Sequence, residues 1–346
     1  MGEEEDREMA RRAVQLSDVA ERAGVSVAAA SYALSGRGRV SAETRARVLR
    51  VAEELGYRVN ATARNLRRRR HGVLGVHLPH RATSHEFYME FVFGAVESCD
   101  EAGMSVLLLG EHGARDVGLD AAVVLDVTAD DAVARDLLTG GAPVVAAEEV
   151  PDGLPRPAVT VAVDHPRHAT AVLDALAARG HRRIALLAPG SDAGWARALQ
   201  RTYRDWSARL DREPIVTEVP FTEHERVQDL LGPLMAAQPD VLLVGTDSTA
   251  GSVATWLREH GHHDPAVAAY IRSSVTDALG AEVLALDLRP REFGRECARR
   301  ALGLIGQELP AEPVTVEFTG PRLAGETRRV SPAAATGRPA RSRRRR

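Results

Sequence analysis

The sequence contains no lysine: all 45 of its basic residues are arginine. That absence removes the Walker A lysine that would reach a nucleotide's phosphates and the amine that a Schiff base requires. Cysteine is almost as scarce. Cys99 and Cys297 lie far apart with no paired spacing, so neither a disulfide framework nor a zinc ribbon is written here, and reduced cytosolic thiols are expected. No apolar h-region opens the chain, which predicts no signal peptide and a cytoplasmic, nucleoid-associated protein. No apolar run approaches the ~20 residues of a membrane span. No G-x-G-x-x-G follows an apolar run, and "PGSDAG" lacks the leading glycine of a nucleophile elbow. In "HGHHDP", residues 260 to 265, the adjacent His262 and His263 would not face one ion from a helix. The stretch reads as a helix-to-strand turn, so no metal and no cofactor are expected.

What is present is ordinary in bulk. The chain has 346 residues, 44% apolar and 27% charged, enough for two or three domains around a large core. The net charge of -3 says nothing about nucleic acid, but the distribution of charge does. Residues 3 to 6 are Glu-Glu-Glu-Asp, whereas Gly56 to His85 holds no acid and seven arginines (Arg58, Arg64, Arg67, Arg68, Arg69, Arg70 and Arg81). The chain ends on Arg343 to Arg346, a basic tail able to add non-specific DNA affinity.

Three helical patterns occupy residues 14 to 56. "LSDVAERAG" places Val19, Ala20 and Ala23 on one face and stops at Gly24, a C-cap residue. "VSVAAASYALSG" follows after a minimal turn and is bare, with Ala28, Ala29, Ala30 and Ser31 in a row. "VSAETRARVLRVAEELGY" starts at an N-cap, Ser41, and repeats Val48, Val51, Ala52 and Leu55 at helical spacing. Helix, glycine turn, helix and supporting helix, followed by an arginine-rich acid-free joint, is a DNA-binding helix-turn-helix pattern. From Gly72 onward, ten short apolar runs alternate with amphipathic helices: "VLGVHLP", "SVLLLG", "AAVVLD", "APVVAA", "VTVAV", "RIALLAP", "PIVTEV", "DVLLVG", "AVAAYI" and "VLALDL". Continuous apolar strands separated by helices predict parallel sheets covered on both faces. Ten strands are many for one sheet, and a split near Asp164 gives two similar α/β lobes with a ligand cleft outside their strand ends.

At these residues the chain resembles the LacI/GalR family of bacterial transcriptional repressors. The match is carried by "LSDVAERAGVS", "SYALSGRGRVSAETRARVLRVAEELGY" and "NATARNLRRRRHGVLGVHLP". It continues more loosely through "EFYMEFVFGAVESCDEAGMSVLLLG", "VAVDHPRHATAVLDALAARGHRRIALLAPG", "QPDVLLVGTDSTAGSVATWLREHG" and "LALDLRPREFGRECARRAL". The resemblance implies an α/β chain with an N-terminal all-α three-helix helix-turn-helix domain and a two-lobed, periplasmic-binding-protein-like effector domain with parallel sheets. Its expected boundaries are an acidic tail at 1–13, the helix-turn-helix at 14–58, a hinge helix and basic linker at 59–71, the two lobes at 72–330 and a basic tail at 331–346. Lobe 1 is expected at about 72–162 plus 288–315, and lobe 2 at about 163–287 plus 316–330.

By resemblance, Val27, Ala28 and Tyr32 face bases, while Ser26, Ala29 and Ser31 fall where the family touches phosphates. Arg39 joins that surface, and Ala30 and Leu34 pack inward. Ala29 departs from the family's usual threonine. Tyr32 is then the only large polar reader, and Val27 and Ala28 offer apolar contact suited to a thymine methyl. "NATARNL" matches the family's hinge helix, which folds on DNA and enters the minor groove. Asn60 and Leu66 bound that segment, with Leu66 as the wedge that unstacks a base step, and Arg64 and Arg67 to Arg70 would neutralise phosphates. A homodimer on a palindromic operator is implied, with the helices after Phe87 and after Ala250 at its interface.

The effector cleft departs from the family pattern. Leu199 stands where an arginine is usual, Thr202 where a glycine is, Thr246-Asp247 for an Asn-Asp pair, and Tyr270-Ile271-Arg272 where the block ends in an acid. Phe87, Tyr88, Trp195, Asp247 and Arg272 are the expected cleft residues. Arg272 would favour a carboxylate or phosphate ligand. Two readings stay open: an anionic or otherwise non-sugar effector, or a pocket that has lost its ligand. A two-lobed solute-binding protein and an α/β enzyme are the rival functions, and activation is the alternative to repression.

Overall fold

The computed structural model describes residues 14–35, 38–57, 70–78, 85–110, 113, 117–220, 227–262, 264–280, 283–324 and 328–329. The acidic N-terminus, the hinge with Asn60, Arg64, Leu66 and Arg67, and the C-terminal basic tail lie outside them. The chain divides into two compact units, one ending at Gly72 and the other beginning at Val73.

The first unit is three helices: α1 (Leu16–Ala23), α2 (Val27–Ser35) and α3 (Ala42–Glu54). Gln15 and Asp18 cap α1 reciprocally, the Gln15 amide donating to Asp18 Oδ2 at 2.8 Å. Gly24 ends α1 at φ 65°, ψ 40°, a left-handed conformation that glycine adopts without steric cost. The Val25 amide closes back onto the Ala20 carbonyl at 2.9 Å, so the chain turns at once into α2. Ser41 caps α3, accepting from the Thr44 amide at 3.1 Å. Alanine and valine make the core, namely Val19, Ala20, Ala23, Ala30, Ala33, Val48, Val51 and Ala52. Such small residues let the helix axes approach closely.

The second unit holds two sheets. The first has six parallel strands in the order β11-β5-β4-β3-β1-β2: β1 (Val73–His77), β2 (Ser105–Leu109), β3 (Ala121–Leu125), β4 (Val144–Ala147), β5 (Val159–Ala162) and β11 (Val314–Glu317). The second has seven, with path β12-β10-β9-β8-β6-β7 and β13 paired to β9. Its strands are β6 (Ile184–Gly190), β7 (Ile215–Pro220), β8 (Val241–Val244), β9 (Ala266–Ala269), β10 (Ala285–Asp287), β12 (Arg322–Ala324) and β13 (Arg328–Arg329). The helices are α4 (Glu86–Ala102), α5 (Ala132–Thr139), α6 (His165–Ala178), α7 (Gly194–Arg209), α8 (Val227–Ala236), α9 (Asp247–Glu259), α10 (Ser274–Ala278) and α11 (Pro290–Leu304).

Each of the ten apolar runs is a strand, β1 to β10. Every residue of β3, β4, β8 and β9 is buried, as a parallel strand covered on both faces requires. Two strands depart from the parallel pattern: β12 and β13 run antiparallel to β10 and β9. Helices α4 and α11 cross in the first lobe at two glycines. A Cβ on Gly94 would fall 1.9 Å from the Arg291 carbonyl oxygen, and one on Gly294 equally close to that of Phe91. Cys99 and Cys297 are buried in this lobe's core. Burial pushes the Cys99 thiol up to about 11 and that of Cys297 well above its usual value, so both are poor nucleophiles.

Candidate nucleic-acid surface and interlobe cavity

In the first unit, α2 has two opposite faces. Ala30 and Ala33 are buried at 0% and 2% exposure, while Val27 and Tyr32 stand 47% and 52% exposed. Ser26 and Ala28 are exposed beside them, Ala29 and Ser31 are half-buried, Leu34 is half-buried against the core, and Arg39 is exposed. The Ser26 hydroxyl accepts from the Ala29 amide at 3.2 Å and so begins the helix. Tyr32 is braced. At Gly38, φ is 81°, and a Cβ there would lie 2.9 Å from Tyr32 Cγ. Glycine both permits that backbone and leaves room for the ring. The result is a rigid ridge of small and aromatic side chains, narrow enough for the helix backbone to approach base edges in a major groove.

In the second unit, a cavity lies between the two sheets. Its lining comes from the segments that follow the carboxyl ends of the strands: His85, Phe87 and Tyr88 after β1, Asp126 after β3, Glu148 after β4, His165 after β5, Trp195 after β6, Thr246 and Asp247 after β8, Ile271 after β9 and Leu288 after β10. Open α/β sheets hold ligands at this edge. Two of the lining acids, Asp126 and Glu148, sit at φ 51° and 77°, left-handed conformations unusual for residues with a side chain.

Polar links cross the cavity from the first lobe to the second. His85 Nδ1 lies 3.1 Å from Asp247 Oδ1, and His165 Nε2 lies 3.1 Å from Glu148 Oε1. Tyr88 donates to Asp126 Oδ2 at 2.7 Å, and Trp195 also donates to Asp126 from the opposite lobe. Outside the cavity, Glu86 Oε2 accepts from the Ser274 amide at 2.9 Å. Burial dominates the ionisation of Asp126 and lifts its carboxyl to about 7; Glu148 adds repulsion, and Tyr88, His165 and Trp195 oppose the rise. Burial, with the Asp126 charge behind it, also raises the Tyr88 phenol well above its usual value. Burial would raise Asp247 too, but the His85 hydrogen bond and charge more than offset it and hold that carboxyl below the usual range.

The structure brings Phe87, Tyr88, Trp195 and Asp247 to the cavity, but not Arg272. The Arg272 guanidinium lies on the surface and makes a two-pronged pair with Asp277, Nε to Oδ1 at 2.9 Å and its second nitrogen to Oδ2 at 3.1 Å. The anionic-ligand argument built on Arg272 therefore has no counterpart in this geometry. Leu199 is fully buried in the second lobe's apolar core and does not line the cavity. Sequence reasoning missed His85, Asp126, Glu148, His165, Ile271 and Leu288. A signal was available: each acid, or His165, follows directly or nearly so on an apolar run. Two histidines of "HGHHDP" have a structural role, His260 and His262 stacking on Trp256 at 4.2 and 5.3 Å, and His263 lies outside the described residues. Among the described residues no group of three acids, histidines or cysteines is placed to hold a metal ion. No helix among them is long and apolar enough to cross a membrane.

Comparison with known proteins places this geometry. Residues 15–60 match the family model of bacterial regulatory proteins of the lacI family, and residues 173–323 match a periplasmic binding protein-like domain. The HTH-type transcriptional regulator AscG of Escherichia coli is 39% identical over 114 residues, and the chain spans only about a third of that protein (34%). The HTH-type transcriptional regulator CelR of Thermobifida fusca is 28% identical over 88% of this chain and 95% of its own. Among solved structures, the Lac repressor dimer bound to operator and the anti-inducer ONPF superposes with a TM-score of 0.74 at 21% identity, covering 92% of this chain and 99% of that one.

Proposed function

The chain belongs to the lacI family of bacterial regulatory proteins, and from that premise we propose that it is a sequence-specific transcriptional regulator, a repressor, binding a palindromic operator as a homodimer. The observation that carries the reading is α2, with a buried alanine back and an exposed Val27, Ala28, Tyr32 ridge inside the segment matched to the family. Val27 and Ala28 present methyl groups to thymine and Tyr32 supplies the polar contact. Ser26, Ala29, Ser31 and Arg39 flank the backbone, the Asn60–Leu66 segment enters the minor groove with Leu66 as its wedge, and Arg64 and Arg67 neutralise phosphates. Phe93 and Val96 on α4, with Leu108 on β2, leave apolar side chains exposed on the first lobe. A second copy covering them gives the twofold symmetry that two half-sites require.

The interlobe cavity is the effector site in this reading, and the molecule works by ligand-coupled DNA binding in the cytoplasm rather than by catalysis. The cavity's His, Asp and Glu side chains engage one another across the lobes. A ligand that inserts between them changes the lobes' equilibrium, and by linkage the affinity for DNA. The test is selection of bound fragments from the source genome. Recovered sequences sharing one inverted repeat support the proposal; recovery of fragments without a common element refutes it.

A further inference from the structure

The cavity carries an imbalance of charge and of hydrogen-bonding groups. Three carboxylates line it, Asp126, Glu148 and Asp247, each no more than 6% exposed. Two have an imidazole against them, Asp247 that of His85 and Glu148 that of His165, each at 3.1 Å. Asp126 accepts hydrogen bonds from neutral side chains, Tyr88 and Trp195, and the His165 ring acts on it only through space, across the repulsion of Glu148. Buried charges are ordinarily paired, so this third carboxylate is a place prepared for a cation. We propose that the ligand of the cavity is a small organic ammonium ion, its charged head seated on Asp126 against the rings of Tyr88 and Trp195. This rests on the reading of the cavity as the effector site.

Four further observations agree. The described lining contains no arginine, asparagine or glutamine, and its principal donors already face carboxylates. A sugar hydroxyl can donate to these carboxylates but finds few donors for its own lone pairs, whereas an ammonium only donates. Phe87, Tyr88 and Trp195 share the lining, with Phe87 and Tyr88 edge to face at 5.4 Å, and aromatic faces attract cations. The free volume is about 20 Å³, room for one water or one ammonium head, so the remainder of a ligand must part the lobes. Finally, His165 is 4% exposed and its Nε2 makes no hydrogen bond, its approach to Glu148 lying off the line of one.

The groups facing Asp126 are Tyr88 from α4, Glu148 beyond β4, His165 from α6 and Trp195 from α7, with the His85–Asp247 pair beyond Tyr88. Burial holds the Asp126 carboxyl at about 7, so a cation seated on it displaces its proton. Affinity then rises about tenfold per pH unit well below 7 and levels off above it. The experiment is calorimetric titration of the full chain at pH 6, 7 and 8 with ethylammonium, ethanolammonium, glucose and acetate. Expected is binding of an amine, tighter by about fivefold at pH 7 than at pH 6, with the pH dependence abolished in Asp126→Asn. Trp195→Phe, which removes one donor to Asp126 and keeps an aromatic ring, should move the pH profile upward and keeps the test open if the first variant fails to fold. Binding of glucose or acetate without either amine, amine binding indifferent to pH, or no binding of any probe overturns the proposal. Operator binding by the same sample separates the two readings. A chain that holds its DNA site but takes no amine sinks this inference alone, and one without a DNA site sinks the regulator assignment.

Discussion

Asp126→Asn gives a stability prediction whose size follows from burial. In the fold the Asp126 carboxyl ionises near 7, against 3.8 for the free side chain. The fold therefore keeps a proton that the unfolded chain releases. Between pH 3.8 and 7 folding takes up that proton, stability falls as pH rises through the window, and the loss is complete above it. Three units at about 1.4 kcal/mol each make the full penalty roughly 4 kcal/mol. Of this, the two units between pH 5 and 7 account for roughly 3 kcal/mol. An asparagine cannot titrate, and its one carbonyl still accepts from Tyr88 or Trp195, so the variant carries a constant offset in place of a pH-dependent one. The lowered carboxyls of Asp131 and Asp247 act in the opposite sense, gaining stability as pH rises, but they are present in both proteins. Urea unfolding of both at pH 5 and pH 8 isolates the difference. The wild type should lose roughly 3 kcal/mol relative to the variant on going from pH 5 to 8. Parallel profiles would refute the idea that Asp126 is an unneutralised buried acid.

Two other consequences are open to test. Gly294→Ala sets a methyl 1.9 Å from the Phe91 carbonyl oxygen and forces α4 and α11 apart, so thermal unfolding should show a loss of about 1–3 kcal/mol or more; Gly303→Ala in the same helix meets nothing within 4 Å and should leave stability unchanged or raise it slightly. Replacing with uracil the thymine opposite Val27 or Ala28 should cost roughly 1 kcal/mol of operator affinity in a binding titration.

The fold was legible where one local cause decides the outcome. Gly24 and Ser41 mark their helix ends because a left-handed residue and a hydroxyl cap are written in residue type. β1 to β10 are readable because strands covered on both faces are continuous apolar runs. β11, "VTVE", is mostly exposed at a sheet edge, and β12 and β13 are shorter still, so no such run announces them. The cavity was half legible. Phe87, Tyr88, Trp195 and Asp247 followed from resemblance, but Asp126 and Glu148 depend on turns beyond the strand ends that bring two distant acids to one void. Arg272 reads as an anion clamp in isolation, yet Asp277, one turn further on, satisfies it. Leu199 shows the same limit from the other side. An apolar residue in a polar family position reads as an altered ligand contact, while in the fold it is core.

The central claim is that the Val27–Tyr32 ridge of α2 reads a sequence, and one titration addresses it. Fluorescence anisotropy at fixed salt compares the inverted repeat selected from the genome with a scrambled duplex of equal length and composition, for the wild type and for Tyr32→Ala. The account predicts a preference for the repeat of at least about a thousandfold. It also predicts that Tyr32→Ala weakens the repeat about tenfold and leaves the scrambled duplex unchanged, since a base contact carries the loss. Equal affinity of the wild type for both duplexes would contradict it.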